Sequence, residues 1–201
     1  MTSPEWRVEV GVSPIVEENI QTLAQLMTFL EELDESLYRK PSGSHGQHSI
    51  GKHVRHIIDH YLTFLGLADN AETLDYEHRQ RDGLLETDRQ AAIHCLVGLI
   101  QELSRMPRDE TVNPLTLGHH SEGHDQLFPS SIGRELVFLA SHAVHHMAII
   151  GLLAEQAGKR VEDGFGVNPS TLRHWAHQDK QKQAVNKVVA CNNDGTRVSV
   201  V

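Results

Sequence analysis

Between Ser131 and Gly158 runs a stretch of chain that only a central helix accommodates. Leu136, Val137, Phe138, Leu139, Ala140, Val144, Ile149, Ile150, Leu152 and Leu153 fall on nearly every side of a 3.6-residue helix. A helix apolar around most of its circumference is buried by its neighbours. Ser130 or Ser131 offers the cap, Glu135 suits the first turn, and Gly158 marks the end. His and Gly interrupt the run too often for a membrane span.

Such a helix needs partners, and the rest of the chain supplies them. Ser13 and Pro14 open a first helix reaching Leu37, with Ile20, Leu23, Leu26, Met27, Leu30 and Leu37 at helical spacing. A second runs from about Ser49 to Leu67 with Ile50, Val54, Ile57, Tyr61, Phe64 and Leu65 on one face. A third spans about Asp88 to Met106, with Thr87 as its cap and Pro107 beyond its end. A short fifth helix begins at Pro169 and covers Leu172 to about Lys182. The connections 68–86 and 111–129 are long and polar, and long connections are often functional. No sheet is predicted beyond a short extended piece at Val112–Leu117. The expected fold is all-α, a four-helix bundle over 1–180 with a tail at 181–201.

Composition narrows the classes of function. Hydrophobic residues make up 39% and charged residues 22%, which suits a globular domain. A formal net charge of -9 with no basic stripe speaks against nucleic acid and against anionic membranes. Met1–Val10 has no apolar core of a signal peptide. Cys95 sits in a helical pattern and Cys191 in the polar tail, so no bridge is expected, and the setting is cytoplasmic.

Histidine is the exception, with 15 among 201 residues. His45, His48, His119, His120 and His124 sit among Gly and Ser and read as loop residues. His142 and His146, by contrast, stand four apart on the apolar fourth helix, one above the other. Two stacked imidazoles do not readily both find protein acceptors, and one shared cation satisfies them together. The second helix offers His53, His56 and His60 along one edge of its apolar face, and the pattern does not choose among them. Asp59 is placed near solvent by the same wheel.

Two motifs then carry a resemblance. Ser49-Ile-Gly-Lys-His-Val-Arg-His-Ile-Ile-Asp-His-Tyr61 and Ser141-His-Ala-Val-His-His146, in this order and on these helices, resemble the DinB/YfiT-like family from about residue 14 to 157. The resemblance implies a four-helix bundle in which His56, His142 and His146 hold a divalent metal ion, with zinc expected first and nickel or iron as alternatives. Many members continue the second motif with Arg-Gly-Gln, whereas here His146 is followed by Met147-Ala-Ile-Ile.

Three neutral ligands leave an open position for a water or a small-molecule thiol, either acidified by the ion. The resemblance therefore implies a metal-dependent enzyme acting on a small-molecule substrate, with thiol-dependent transfer ahead of hydrolysis. The competing expectation is a non-catalytic metal- or small-ligand-binding protein linked to stress. Pairing through exposed helix faces makes a homodimer the expected assembly.

Overall fold

The computed structural model describes residues 13–66, 73–121 and 123–193, with side chains described up to 182. The expectations for Met1–Val10, for the Cys191 side chain and for the tail from 194 on lie outside the described residues. Helices dominate: α1 (Pro14–Glu31), α2 (Glu35–Tyr38), α3 (Ile50–Leu65), α4 (Gly83–Thr87), α5 (Arg89–Arg105), α6 (Ile132–Gln156) and α7 (Pro169–Asn193). Strands β1 (Thr73–Leu74), β2 (Pro114–Ser121) and β3 (His124–Ser131) form a small sheet. The chain is therefore mostly helical rather than all-α. One compact unit ends at Gly166, and a second, holding α7, begins at Val167. Helix α7 runs past the expected Lys182 to Asn193.

Four elements carry the core. Helix α1 packs on α5 and α6, and α3 packs on the same two. Each contributes a helical-period stripe, with Leu23, Leu26 and Leu30 from α1, Val54, Ile57 and Ile58 from α3, Leu96 and Leu103 from α5, and Leu136, Leu139 and Ile150 from α6 all buried. Among these apolar side chains lies one polar pin. Asn19 of α1, fully buried, donates to the Leu136 carbonyl of α6 at 3.1 Å and accepts from the Tyr61 hydroxyl of α3 at 2.7 Å.

Several boundaries differ from the sequence pattern. The first helix breaks at Glu32, and a second short turn starts at Glu35. In one continuous helix Leu33 and Tyr38 would point about 140° apart, yet both are buried. The break turns Tyr38 inward, where its hydroxyl donates to the Leu85 carbonyl. Asp88, not Thr87, caps α5, its carboxylate accepting from the Ala91 amide at 2.9 Å. Thr87 closes α4 instead, its hydroxyl donating to the Gly83 carbonyl at 3.1 Å. Helix α6 starts at the Ser131 cap and ends where the Lys159 amide donates to the Ala154 carbonyl around Gly158, at φ 86°. It is long and apolar enough to cross a membrane by length and composition, but one side of it packs in the core. Its other side is exposed at Val137 and Leu152, so the expected burial all round holds for only part of its circumference.

The sheet is the principal departure. Strands β2 and β3 pair antiparallel from Pro114↔Ser131 to Ser121↔His124, with Gly123 at φ 79° just before β3. Strand β1 pairs parallel with β2 through Thr73↔Thr116 and Leu74↔Leu117. Buried Gly118 admits this approach, since a Cβ there would lie 3.2 Å from the Thr73 methyl. The two long connections are thereby joined.

Gly51 governs a second close approach. An added Cβ would lie 2.1 Å from the Glu86 carbonyl oxygen and 2.9 Å from the Tyr38 ring. Backbone does not yield as a side-chain tip does, so Gly51→Ala is expected to cost about 3 kcal/mol. Urea unfolding measures this, and an unchanged midpoint would contradict the packing of α3 on α4.

Candidate metal centre

Ser49 starts α3 by accepting from the Lys52 amide at 3.1 Å, which sets the face on which His53, His56 and His60 lie. Helix α6 brings His142 and His146 against them. The His56 ring lies 5.0 Å from His142 and 4.4 Å from His146, centroid to centroid, and those two lie 4.6 Å apart. His60 joins the group at 4.4 Å from His56 and 4.3 Å from His142. His53 completes it, its Nδ1 lying 3.0 Å from His146 Nδ1. His145 is exposed at the edge.

Among the described residues, His56, His60 and His142 each offer a nitrogen within 4.8 Å of the others. His60 is oriented by its Nδ1–H, which donates to the His56 carbonyl at 2.7 Å. Its Nε2 faces Arg79 Nη1 at 3.5 Å. His142 Nε2 is buried and meets no hydrogen-bond partner, and the same is true of His53 Nε2. A buried imidazole nitrogen without a partner costs free energy of the order of 1–3 kcal/mol. An arrangement that leaves two of them fits a cation better than a self-contained polar core.

The charge state agrees. Burial pushes His56 down to about 3, and the neighbouring His60 and His142 push it the same way. Burial likewise lowers His146 to about 3 and His60 to about 4. His53 and His142 are lowered by burial first, and by nearby histidines. All five imidazoles are neutral at neutral pH, which is the form that binds metal.

The walls come from parts of the chain whose pattern gave no warning. The segment after β1 lays Tyr76 against the His60 ring at 5.3 Å and against Phe138 at 5.2 Å. Burial, then the Glu135 carboxylate, raises the Tyr76 pKa, so it remains a neutral phenol. Its hydroxyl donates to Glu135 at 3.1 Å. Glu135 is fully buried and also accepts from Ser130 and from Arg134 at 2.9 Å. Arg79 is anchored on the Tyr76 carbonyl, while its buried Nε meets no partner. Asp59 is not near solvent as the helical wheel predicted. It is 2% exposed and paired with Arg55 at 2.9 Å, and Arg55 in turn reaches Glu86 at 3.1 Å. The wheel could not place α4 over that side of α3.

Tyr76→Phe removes one of three donors to a buried carboxylate. The expected loss is about 1.5–2 kcal/mol, read as a lower melting temperature. A melting temperature equal to the parent's would show that Ser130 and Arg134 suffice.

The family model of the DinB superfamily matches residues 18–150. A curated relative, FK506-binding protein 5 of Rhizopus delemar, is 35% identical over 108 residues, 52% of this chain and 28% of that protein. The chain thus corresponds to little more than a quarter of that relative's length. No solved structure matches the chain with significance.

Proposed function

The chain belongs to the DinB superfamily, and from that premise we propose that it is a metal-dependent enzyme whose ion is held by His56, His142 and His146 in a four-helix bundle. The observation that carries this reading is the unpartnered, buried Nε2 of His142 among imidazoles that burial keeps neutral. Zinc is the proposed ion, with nickel and iron as alternatives, since imidazole accepts all three. When bound, such an ion supplies Lewis acidity, lowering the pKa of a water or thiol substrate.

Neutral ligands leave the ion's charge uncompensated, so the ligand that completes the site is anionic. Arg79 supports this, because its buried Nε is a donor with no acceptor. His53 orients His146 through the 3.0 Å approach of their Nδ1 atoms; with its Nδ1 so engaged, His146 keeps Nε2 for the cation. His60 is assigned to the wall, because the Arg79 guanidinium faces its Nε2. Tyr76 packs on the His60 ring and Phe138 on the His142 ring. Thiol-dependent transfer is placed ahead of hydrolysis, with a small-molecule substrate or thiol as partner in a cytoplasmic homodimer.

One observation favours the alternative of a non-catalytic, stress-linked metal or small-ligand binder. Glu135, the carboxylate bonded to the wall residue Tyr76, is engaged by three donors and is not free to act as a general base. Metal-loaded protein assayed for thiol transfer to electrophiles and for ester and amide hydrolysis separates the two. Turnover abolished by chelation and by His142→Ala supports the enzyme; metal content without turnover in any assay supports the binder.

A further inference from the structure

The sheet brings together residues that sequence spacing keeps far apart. Asp75 follows β1, and His120 lies in β2, 45 positions later. Asp75 Oδ2 lies 2.8 Å from His120 Nε2 and in contact with His78 Nδ1. The donor atoms of Asp75, His78 and His120 all lie within 4.8 Å of one another. Two ligands of one tetrahedral zinc sit about 3.4 Å apart, so small side-chain rotations bring these donors to ligating distance.

We propose that Asp75, His78 and His120 form a second divalent-cation site, of the zinc class, separate from the histidines of α3 and α6. Three features suit it to a cation. First, the donor set is mixed, one carboxylate with two imidazoles, as in transition-metal sites. Second, His120 has carboxylates on both nitrogens, Asp75 at Nε2 and Asp125 at Nδ1, 2.7 Å away. A neutral imidazole has only one N–H. A cation at Nε2 resolves this, with Asp125 accepting the Nδ1–H, the carboxylate–histidine–metal arrangement that orients ligands. Third, Asp75 is already aimed: its Oδ1 accepts the Glu77 amide at 2.8 Å, leaving Oδ2 toward the two rings. In the metal-free protein the hydrogen bonds from Asp125 and then Asp75 raise the His120 pKa, so ion and proton compete for one place.

The site is reachable, with the His78 side chain 72% exposed and that of His120 37%. An ion there would fasten the segment after β1 to β2. Tyr76 and Arg79 belong to that segment and line the inner histidines. The outer ion would thus hold the wall of the inner centre in place.

The experiment is calorimetric zinc titration of the metal-stripped, untagged full chain, run beside His78→Ala, His78→Ala/His120→Ala and His56→Ala/His142→Ala. The wild type is expected to bind two ions, either outer variant one, and the inner variant one. Asp125→Asn is expected to weaken the outer ion roughly 10- to 100-fold. Equal stoichiometry in wild type and His78→Ala overturns the proposal. If wild type and inner variant each bind one ion and His78→Ala none, the outer site stands and the inner reading fails. His78→Ala alone decides the matter should the double variant not fold, because its side chain is largely in solvent.

Discussion

In a His78→Ala background, protein purified with His142 replaced by alanine is expected to contain no metal. Loss of a residue that merely orients a ligand weakens metal affinity roughly 10- to 100-fold, and removal of a ligand exceeds that. His56→Ala and His146→Ala are expected to behave like His142→Ala, whereas His60→Ala retains the ion because Arg79 already faces its Nε2. Elemental analysis after dialysis, performed only on the inner centre in a His78→Ala background, measures this. Metal kept by His146→Ala and lost by His60→Ala would exchange the two assignments, in line with the convergence of His56, His60 and His142. The same position also separates function from stability. The unpartnered Nε2 of His142 penalises the metal-free fold, so His142→Leu, apolar and of similar size, is expected to stabilise metal-free protein by about 1–3 kcal/mol while abolishing binding.

Metal-free protein is also expected to unfold in mild acid. In an unfolded chain histidine titrates near 6.5, while in the fold His56 and His146 are held at about 3 and His60 at about 4. Between those limits the unfolded state binds more protons, so stability falls as pH falls. The slope is about 1.4 kcal/mol per pH unit for each such histidine. Three acting together exhaust a reserve of roughly 5–15 kcal/mol within a few pH units, placing the midpoint between pH 6 and 3. Above pH 6.5 these groups contribute no pH dependence. Circular dichroism against pH reads the midpoint, and His56→Ala is expected to shift it to lower pH. A metal-free protein as stable at pH 4 as at pH 7 would show that these imidazoles take up protons without loss of structure.

The long helices were legible because local signals agreed with tertiary demands. Ser13, Ser49 and Ser131 cap the helices that their spacing with apolar residues announces. The break at Glu32 was not legible, since it serves Tyr38, whose partner Leu85 lies 47 positions away. The hairpin was hidden for a related reason. Strand β3 is exposed along most of its length, Pro114 and Pro129 interrupt the pattern, and pairing across the turn holds it rather than a buried alternating face. The inner histidines could be read from their i, i+4 spacing on an apolar helix, but choosing among His53, His56 and His60 needed the resemblance. Tyr76, Arg79 and Glu135 offered only polar loop context or a helix-start carboxylate. Asp75, His78 and His120 read as ordinary loop residues, because nothing local says that two distant connections share a sheet.

The Asn19 pin bears on how finely the chemistry is held. Its two bonds fasten α1 to α3 and to α6, the helices that supply the imidazoles. Sliding one helix past another by a single residue moves every side chain about 1.5 Å along the axis, while a metal–nitrogen bond tolerates only about 0.2 Å. Apolar side chains alone permit such slippage at little cost. A carboxamide that must satisfy a carbonyl on one neighbour and a phenol on the other does not. Asn19 thus works as a vernier, and the spacing of the imidazoles is inherited from an amide distant from them in sequence.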